Sequence, residues 1–298
     1  MLYLNLSMTF KFNDNDFNLT IYQVIRKYNL IDNNPRMRAL GQNFIVDESL
    51  LDKIAKSASP INKNDCIIEV GPGPCNLTRS ILSHYDNEII CIERDLKFKS
   101  LHDNLLKNTN KNIRFIYDDA LNIKISKLTN KRIVIISNLP YNVGTALITN
   151  WLLNDINQIN EVIVMLQDEV IDRICSPHSN RNYGKISVLT QLLCNVEKLF
   201  TVSNKVFIPS PNVTSAVIKI TPKHTGINNV NELFNLLNNC FIQRRKMIYS
   251  TVQKSYSTLD KNTIIDILNK CNISSKQRPG TVSPEQYYEL SKYLSQRK

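Results

Sequence analysis

The sequence predicts an α/β fold: a doubly wound sheet with a terminal antiparallel hairpin, joined to a small all-helical C-terminal domain. Short apolar runs alternate with segments of helical character as far as residue 221, which is typical of a parallel sheet covered by helices. After Pro222 the chain changes to amphipathic helices with polar connections. We therefore predict an N-terminal extension with a short helix over 1–34, a sheet domain over 35–221 and a helical domain over 222–298.

Five runs are expected to form parallel strands because nearly every residue in them is apolar, as in strands that are buried on both faces. They are Cys66–Val70, Ile89–Ile92, Ile113–Tyr117, Ile133–Ile136 and Val162–Leu166. Two later runs, Val196–Val202 and Thr214–Ile220, are joined only by a short Pro-rich loop. We therefore predict that these two form a hairpin rather than another crossover unit.

The helices are predicted from the spacing of apolar side chains and from start and stop signals. A capping-box sequence at Thr20–Gln23 begins a short helix, which ends before Pro35. A second helix is expected over Ser49–Ala58, with Pro60 as its stop. The amphipathic helices of the C-terminal region are expected at Glu232–Phe241, Thr263–Leu268 and Glu285–Leu294.

The chain carries a large excess of positive charge. Its 298 residues include 37 Lys and Arg against 26 Asp and Glu, a formal net charge of +11. Such an excess favours a polyanionic partner such as nucleic acid, because each neutralised phosphate releases counterions. A compositional bias of the genome is the alternative, since the sequence is rich in Asn, Ile and Lys. Charge alone therefore favours nucleic acid only modestly.

The seven cysteines form no CxxC pair, which argues against a zinc site and against a disulfide framework. We expect reduced cysteines and no metal. No apolar run reaches membrane-spanning length, and the apolar start at Met1–Phe12 lacks a preceding basic region and a cleavage site. The sequence therefore predicts a cytoplasmic protein without a membrane partner.

A glycine turn follows the first predicted strand, in the segment Ile68–Leu77. Gly71 and Gly73 would let the backbone approach a ligand without a Cβ clash, and Asn76 or Thr78 is expected to cap the following helix. A nicotinamide-cofactor fingerprint requires a third glycine where Asn76 stands, so that interpretation weakens. Taken alone, the glycine turn is about equally consistent with a ligand site and with a plain strand-to-helix connection.

Acidic residues end the next two predicted strands. Glu93 follows the second strand, where a carboxylate can bridge two ribose hydroxyls; the alternative is a carboxylate at a helix N-terminus. Asp119 follows the third strand, where it can meet an adenine amine; the alternative is a solvated turn. Together with the glycine turn, these residues predict a nucleoside-bearing ligand across the carboxyl edge of the sheet.

The fourth strand ends in Asn138–Tyr141, a segment similar to the catalytic motif of methyltransferases that act on nucleobase amines. The N6 lone pair of adenine is delocalised into the ring and is a poor nucleophile. The Asn138 side-chain oxygen and the Leu139 carbonyl can accept hydrogen bonds from the two N–H groups of this amine. These bonds favour a lone pair that is localised on the nitrogen. Pro140 stiffens the loop, and Tyr141 offers a face for an extruded base. Alone, this segment is also compatible with an ordinary strand-to-turn connection.

Together the motifs resemble one family, the small-subunit ribosomal RNA adenine dimethyltransferases, from about Arg38 to the C-terminus. The matching segments, in order, are Leu40–Phe44, the Gly71 turn, Glu93–Asp95, Asp119–Ala120, Asn138–Thr145, Met165–Gln167, Tyr183–Gly184, Phe207–Pro211 with Val213 and Ser215–Val217, Arg244–Lys246, Arg278 and Ser283–Gln286. Each segment is short, but their order and spacing are specific. The resemblance implies a Rossmann-like methyltransferase sheet that binds S-adenosylmethionine and releases S-adenosylhomocysteine.

The resemblance also implies roles for individual residues. Asn138 and Leu139 would accept from the target amine, and Tyr141 and Phe207 would sandwich the target adenine. The implied cofactor contacts are Asn43, Ile45, Gly71, Glu93, Asp119 and Asn138. The implied contacts to the RNA backbone are Arg244, Arg245 and Lys246, although a charge run by itself is usually a solvated face.

The implied product is N6,N6-dimethyladenosine at two adjacent adenosines, in a hairpin near the 3′ end of small-subunit (16S) ribosomal RNA. The implied substrate is a small-subunit assembly intermediate, and we expect the protein to act as a monomer. Three residues depart from the family pattern. Cys75 replaces the usual third glycine of the turn, and Asp168 and Asn212 stand where lysine is common, which leaves phosphate contacts there in question.

Three other functions remain open from the sequence. The nearest is a macrolide-resistance adenine methyltransferase that acts on large-subunit ribosomal RNA, although Gly144–Thr145 and the basic C-terminal segment favour the small-subunit group. The second is an inactive binding or assembly factor, which the presence of Glu93, Asn138 and Tyr141 disfavours. The third is a DNA adenine methyltransferase, against which the segment Phe207–Pro211 argues.

Overall fold

The computed structural model describes residues 23–24, 43–223 and 226–297. The predicted extension over 1–34 and its helix therefore lie outside the described residues, apart from Gln23 and Val24. The described residues divide into two compact units, one containing 43–148, 157–168 and 198–220, the other 149–156, 169–197 and the C-terminal residues from 221. The domain boundaries drawn from the sequence, at 34 and 221, stay predictions. Within the described ranges, no helix is long and apolar enough to cross a membrane.

A seven-stranded mixed sheet confirms the predicted fold class. Its strands are β2 (Cys66–Val70), β3 (Glu88–Glu93), β4 (Ile113–Tyr117), β5 (Ile133–Asn138), β6 (Ile159–Gln167), β7 (Cys194–Val202) and β9 (Ser215–Pro222). They lie in the order β4-β3-β2-β5-β6-β9-β7. Strands β2 to β6 pair in parallel, and β9 pairs antiparallel with β6. The strand order reverses between β2 and β5, and ligands bind at the carboxyl ends of strands beside such a reversal.

A second, two-stranded sheet was not predicted. Strand β1 (Phe44–Ile45) pairs antiparallel with β8 (Phe207–Ile208), and Ile45 lies opposite Phe207. The Val46 N–H donates to the Val206 carbonyl at 2.9 Å and extends this pairing by one bond. Two-residue strands are too short to carry a periodic signal in the sequence, so only the fold reveals them.

Ten α-helices lie within the described residues. In chain order they are α1 (Glu48–Ala55), α2 (Asn76–His84), α3 (Lys99–Lys107), α4 (Gly144–Asn154), α5 (Asp168–Cys175), α6 (Lys185–Leu193), α7 (Val230–Ile242), α8 (Ile248–Ser255), α9 (Lys261–Lys270) and α10 (Pro284–Ser295). Four of these correspond to helices that were predicted from the sequence. Helices α1, α7, α9 and α10 correspond to the predicted segments Ser49–Ala58, Glu232–Phe241, Thr263–Leu268 and Glu285–Leu294. Helix α10 begins with a capping box, in which the Ser283 hydroxyl accepts from the Gln286 N–H.

The core of the first unit forms where apolar strand residues meet the apolar faces of helices. Ile67 of β2, Ile89 of β3 and Ile136 of β5 are fully buried, as is Ile54 of α1. This burial explains why the sequence of these strands is apolar on both faces, since helices cover both sides of a doubly wound sheet. A packed sheet of this kind holds the carboxyl ends of its strands, and the residues that follow them, in fixed positions.

Candidate active site

A cavity of about 540 Å³ lies in the first unit, at the carboxyl ends of β2, β3 and β5. This volume is in the range of a pocket for a small molecule or cofactor. The cavity brings together most of the site residues predicted from the sequence. Those that line it are Asn43, Ile45, Gly71, Glu93, Asp119, Asn138, Leu139, Pro140 and Tyr141.

The glycine turn forms the floor of this cavity after β2. Gly71 has a φ of +71° and Gly73 a φ of +52°, conformations that side-chain-bearing residues rarely adopt. The Gly71 N–H donates to the Ile92 carbonyl at 2.8 Å. A Cβ on Gly71 would lie 3.6 Å from the Pro140 ring, so the turn and the loop after β5 are close neighbours.

The start of α2 differs from the sequence prediction. Asn76 or Thr78 was expected to cap the helix, but Cys75 occupies the N-cap position without a side-chain bond, and α2 begins at Asn76. That prediction was wrong because the turn places Cys75 in the left-handed region, at φ +66°. The Asn76 amide instead donates to the Ile45 carbonyl at 3.0 Å and ties β1 to the helix. A left-handed Cys costs about 1 kcal/mol, which accounts for glycine being usual at this place.

Glu93, at the end of β3, is held by backbone donors. Its side chain accepts from the Gly73 N–H at 3.0 Å and from the Asp95 N–H at 2.8 Å. The residue is only 5% exposed, and burial raises the pKa of its carboxyl above the ordinary value. The two bonds use one lone pair on each oxygen, so the carboxylate can still accept from a ligand.

Asp119, after β4, is also fixed in place. One carboxylate oxygen accepts from the Leu121 N–H at 3.0 Å, and the other lies 3.2 Å from the Arg94 guanidinium. Asp119 and Arg94 both line the cavity. Asp119 therefore faces the site as an oriented hydrogen-bond acceptor at the end of the strand next to Glu93.

Glu69 is a cavity residue that the sequence analysis missed. It lies in β2 just before the glycine turn, is 2% exposed and lines the cavity. Burial raises the pKa of its carboxyl to about 8. The sequence did contain an indication of this role. A carboxylate inside an otherwise apolar strand is costly to bury, and such residues are common at functional sites.

The raised pKa of Glu69 predicts a specific pH dependence of stability. The pKa of Glu69 in the folded protein lies above the ordinary 4.5. The contribution of its protonated form to the free energy of unfolding is therefore fully present below pH 4.5, and it is lost as the pH rises through about 8. We expect Glu69→Gln, which stays neutral, to gain in free energy of unfolding relative to wild type across this window, by as much as about 5 kcal/mol. Urea unfolding of both ligand-free proteins at several pH values measures this. A difference that is constant with pH would contradict the assignment.

The loop after β5 is anchored at both ends. The Leu139 N–H donates to the Met165 carbonyl at 3.2 Å, and the Gly144 N–H donates to the Pro140 carbonyl at 3.0 Å. The Asn138 amide nitrogen makes a long bond of 3.4 Å to the Asn43 carbonyl. These bonds use the Leu139 N–H and the Asn138 nitrogen, so the Leu139 carbonyl and the Asn138 oxygen are the atoms suited to accept from a ligand.

Tyr141 stands at the end of the same loop and lines the cavity. Its hydroxyl lies 2.5 Å from the Ser215 hydroxyl of β9. Burial raises the pKa of the Tyr141 phenol, so the hydroxyl stays protonated at neutral pH. The hydrogen bond fixes the direction of the half-buried ring at the edge of the cavity.

Two predicted site groups lie elsewhere. Phe207 is 2% exposed and belongs to the core of the first unit, where it pairs with Ile45 across the small sheet. It does not belong to the cavity lining. Its predicted stacking role stays a prediction that requires the ring to become accessible.

The basic run Arg244–Lys246 lies in the second unit. The Arg244 guanidinium donates to the Arg181 carbonyl at 2.5 Å and to the Asn180 carbonyl at 2.9 Å. A Cβ on Gly280 would come within 3.4 Å of this guanidinium, so the half-buried Arg244 packs against the Gly280 segment. Arg245 and Lys246 are exposed. Of the three predicted RNA contacts, these two have the more exposed side chains, whereas hydrogen bonds within the unit hold the Arg244 guanidinium.

Comparison with known proteins identifies the family. A family model described as ribosomal RNA adenine dimethylase matches residues 33–296. The ribosomal RNA small subunit methyltransferase A of Neorickettsia sennetsu is 37% identical over 256 residues, which covers 85% of this chain and 96% of the relative. The chain belongs to the ribosomal RNA adenine dimethylase family. The protein of the same name from Wolbachia pipientis wMel is 36% identical and covers 85% of this chain and 87% of its own. The predicted family and the predicted enzyme class, methyltransferase, are thereby confirmed.

Solved structures agree with the fold of this dimethylase. A dimethyladenosine transferase from Plasmodium falciparum matches with a TM-score of 0.70 at 24% identity, covering 83% of this chain and 95% of the other. The 23S rRNA methyltransferase ErmE matches with a TM-score of 0.62 at 20% identity, covering 85% and 99%. At these identities the two structures bear on the fold alone, and they confirm the predicted methyltransferase sheet with a helical C-terminal region.

Proposed function

We propose that this dimethylase transfers methyl groups from S-adenosylmethionine to the N6 amines of two adjacent adenosines in small-subunit ribosomal RNA. The observation that carries the proposal is the placement of the Asn138–Tyr141 loop at one cavity that also contains Glu93 and Asp119. The loop provides acceptors for an amine, and the two carboxylates provide acceptors for a nucleoside. Both kinds of recognition are needed within one site for this reaction.

The residues of the cavity fit S-adenosylmethionine by their donor and acceptor chemistry. Glu93 has free lone pairs for the ribose hydroxyls, and Asp119 can accept from an adenine amine. Gly71 and Gly73 keep the floor of the cavity clear of side chains. When bound, the cofactor supplies an electrophilic methyl group on a sulfonium. Glu69, a buried carboxyl at the same turn, would be favoured in its ionised form by the positively charged part of such a ligand.

The loop after β5 acts on the target base. The Asn138 side-chain oxygen and the Leu139 carbonyl accept the two N6–H bonds and draw the nitrogen towards a tetrahedral geometry. This localises the lone pair, and the stabilisation grows as positive charge develops on nitrogen in the transition state. Pro140 holds the loop against the glycine turn, 3.6 Å from where a Gly71 Cβ would stand. Tyr141 provides a ring face on which the extruded base stacks.

The partner in this proposal is a small-subunit assembly intermediate with its ribosomal RNA, met by a monomer in the cytoplasm. The net charge of +11 supports an RNA partner, because attraction to phosphate increases both affinity and association rate. Exposed Arg245 and Lys246 are the side chains of the predicted RNA contacts that can reach phosphates. Asp168, where lysine is usual, forms an ion pair with Lys198 at 2.5 Å, which reduces its repulsion of RNA.

Two substitutions of Tyr141 separate its ring from its hydroxyl. Tyr141→Phe keeps the stacking face and loses only the bond to Ser215, so we expect kcat/KM to fall by less than about ten-fold. Tyr141→Ala removes the face, and stacking of one base contributes about 1–3 kcal/mol, so we expect a loss of about 10- to 100-fold. Steady-state kinetics on unmethylated small subunits measures both. Equal losses for the two variants would exclude the stacking role.

The product of the reaction tests the proposal. Wild-type protein is incubated with labelled S-adenosylmethionine and small subunits that lack the modification, and the RNA is digested to nucleosides for mass analysis. We expect N6,N6-dimethyladenosine, with two labelled residues adjacent in the sequence. A product that stops at monomethyladenosine, or label on another base, would overturn the proposal.

A further inference from the structure

A buried histidine contacts the glycine turn from behind the cavity. His102 of α3 is fully buried, and its ring stacks on Phe115 with centroids 4.1 Å apart and planes at 10°. The ring nitrogen Nε2 lies 2.8 Å from the Gly73 carbonyl. The other nitrogen, Nδ1, lies 3.0 Å from the Tyr117 hydroxyl. His102 does not line the cavity, and the sequence analysis gave it no role.

The protonation state of this ring follows from its partners. A carbonyl can only accept, so Nε2 must carry the proton that is donated to Gly73. Burial lowers the pKa of His102 to about 4, so at neutral pH the ring has one proton and Nδ1 is an acceptor. Burial also raises the pKa of Tyr117 to about 12, so its hydroxyl stays protonated and donates to Nδ1.

The same glycine connects the histidine to Glu93. The carbonyl of Gly73 accepts from His102, while the N–H of Gly73 donates to the Glu93 carboxylate at 3.0 Å. Gly73 has a φ of +52° and no side chain, so its own conformation resists rotation only weakly. The hydrogen bond from His102 fixes the peptide plane on the carbonyl side of Gly73 and so restricts the conformation of the turn that presents the Gly73 N–H to Glu93.

We propose that His102 is a positioning residue for the cofactor site, acting through Gly73 to orient the Glu93 carboxylate. This inference rests on the proposed function, because it takes the Glu93 end of the cavity to be the place where the nucleoside of S-adenosylmethionine binds. His102 touches neither cofactor nor substrate. Its effect is on binding of the cofactor rather than on the methyl transfer at Asn138.

The test compares two replacements of His102 in the full-length protein. His102→Leu keeps an apolar side chain against Phe115 but removes the donor. His102→Gln carries an amide N–H that can reach the position of Nε2 and so keeps the donor to the Gly73 carbonyl. Calorimetry measures the Kd for S-adenosylhomocysteine, which serves as the probe. We expect His102→Leu to raise the Kd by on the order of ten-fold and His102→Gln to stay within about three-fold of wild type.

A matched control separates positioning from loss of packing. Leu105 is fully buried on the same helix, so Leu105→Ala lowers stability without touching the hydrogen bond to Gly73. We expect Leu105→Ala to lower the urea midpoint at least as much as His102→Leu while the Kd of its folded form stays unchanged. In kinetics with RNA substrate, we expect His102→Leu to raise the KM for the cofactor and to leave kcat within about two-fold.

The outcomes distinguish this inference from the proposed function. If wild-type protein binds no S-adenosylhomocysteine, the proposed function is wrong and the role of His102 falls with it. If wild type binds and His102→Leu binds equally well, only the positioning role is wrong. The same conclusion holds if Leu105→Ala weakens binding as much as His102→Leu, or if His102→Gln fails to restore it in a folded protein.

Discussion

Replacement of Asn138 by alanine is expected to lower kcat by about 100- to 1,000-fold. The side-chain oxygen accepts a hydrogen bond from one N6–H group, and this bond is strongest when charge develops on the nitrogen in the transition state. Removal of one such preorganised acceptor lowers a reaction rate by a factor of this order. Asn138 is only partly buried and its long bond to the Asn43 carbonyl contributes little, so the variant should fold normally. Binding to unmethylated small subunits should be retained. Single-turnover methyl transfer, together with particle binding by sedimentation, measures both.

The control for this substitution comes from the turn that leads into the same strand. Asn130 precedes β5, at the end opposite to Asn138, and is exposed, so Asn130→Ala removes an equal side chain away from the cavity. We expect it to transfer methyl groups at the wild-type rate. Loss of particle binding by Asn138→Ala with intact chemistry would refute the role assigned to Asn138.

Replacement of Glu93 by alanine is expected to raise the Kd for the cofactor by about a hundred-fold. A carboxylate that accepts from two ribose hydroxyls makes charge-assisted hydrogen bonds, which are among the stronger ones in proteins. The substitution also leaves the Gly73 and Asp95 N–H groups without their acceptor, which should lower the free energy of unfolding by about 2–4 kcal/mol. Calorimetric titration with S-adenosylmethionine, at a temperature where the variant is folded, provides the Kd.

Glu88 provides a matched comparison for Glu93. It is the first residue of the same strand and forms an ion pair with Lys131 at 3.0 Å, at the end away from the cavity. Glu88→Ala should leave the Kd unchanged and cost less than about 1 kcal/mol of stability, as is usual for ion pairs near the surface. If Glu93→Ala binds the cofactor as tightly as Glu88→Ala does, Glu93 does not belong to the ribose site.

Much of the sheet could be predicted because its signals are local. Cys66–Val70 and Ile113–Tyr117 have the predicted bounds in the structure, since apolar runs of this length bounded by turn residues leave few alternatives. Glu93, Asp119 and Asn138 could be predicted as a group because parallel strands place their carboxyl ends at one edge. The chemistry of each residue then indicated a nucleoside and an amine.

The remaining features depend on contacts between segments that are distant in the sequence. The pairing of Phe44–Ile45 with Phe207–Ile208 buries Phe207. No pattern in either dipeptide predicts this pairing. Arg244 donates to carbonyls more than sixty positions earlier in the chain, so the basic run could not reveal these hydrogen bonds. His102 reaches Gly73 only because α3 packs beside the glycine turn. Such side chains become interpretable when the fold is known.

One measurement tests most directly that this dimethylase acts on the small ribosomal subunit. Small and large subunits from cells that lack the corresponding modifications are incubated in parallel with the protein and labelled S-adenosylmethionine, and the labelled nucleotides are mapped in each RNA. Our account predicts N6,N6-dimethyladenosine at two adjacent positions near the 3′ end of small-subunit RNA. Label confined to the large subunit, or absent from both although the cofactor binds, would contradict it.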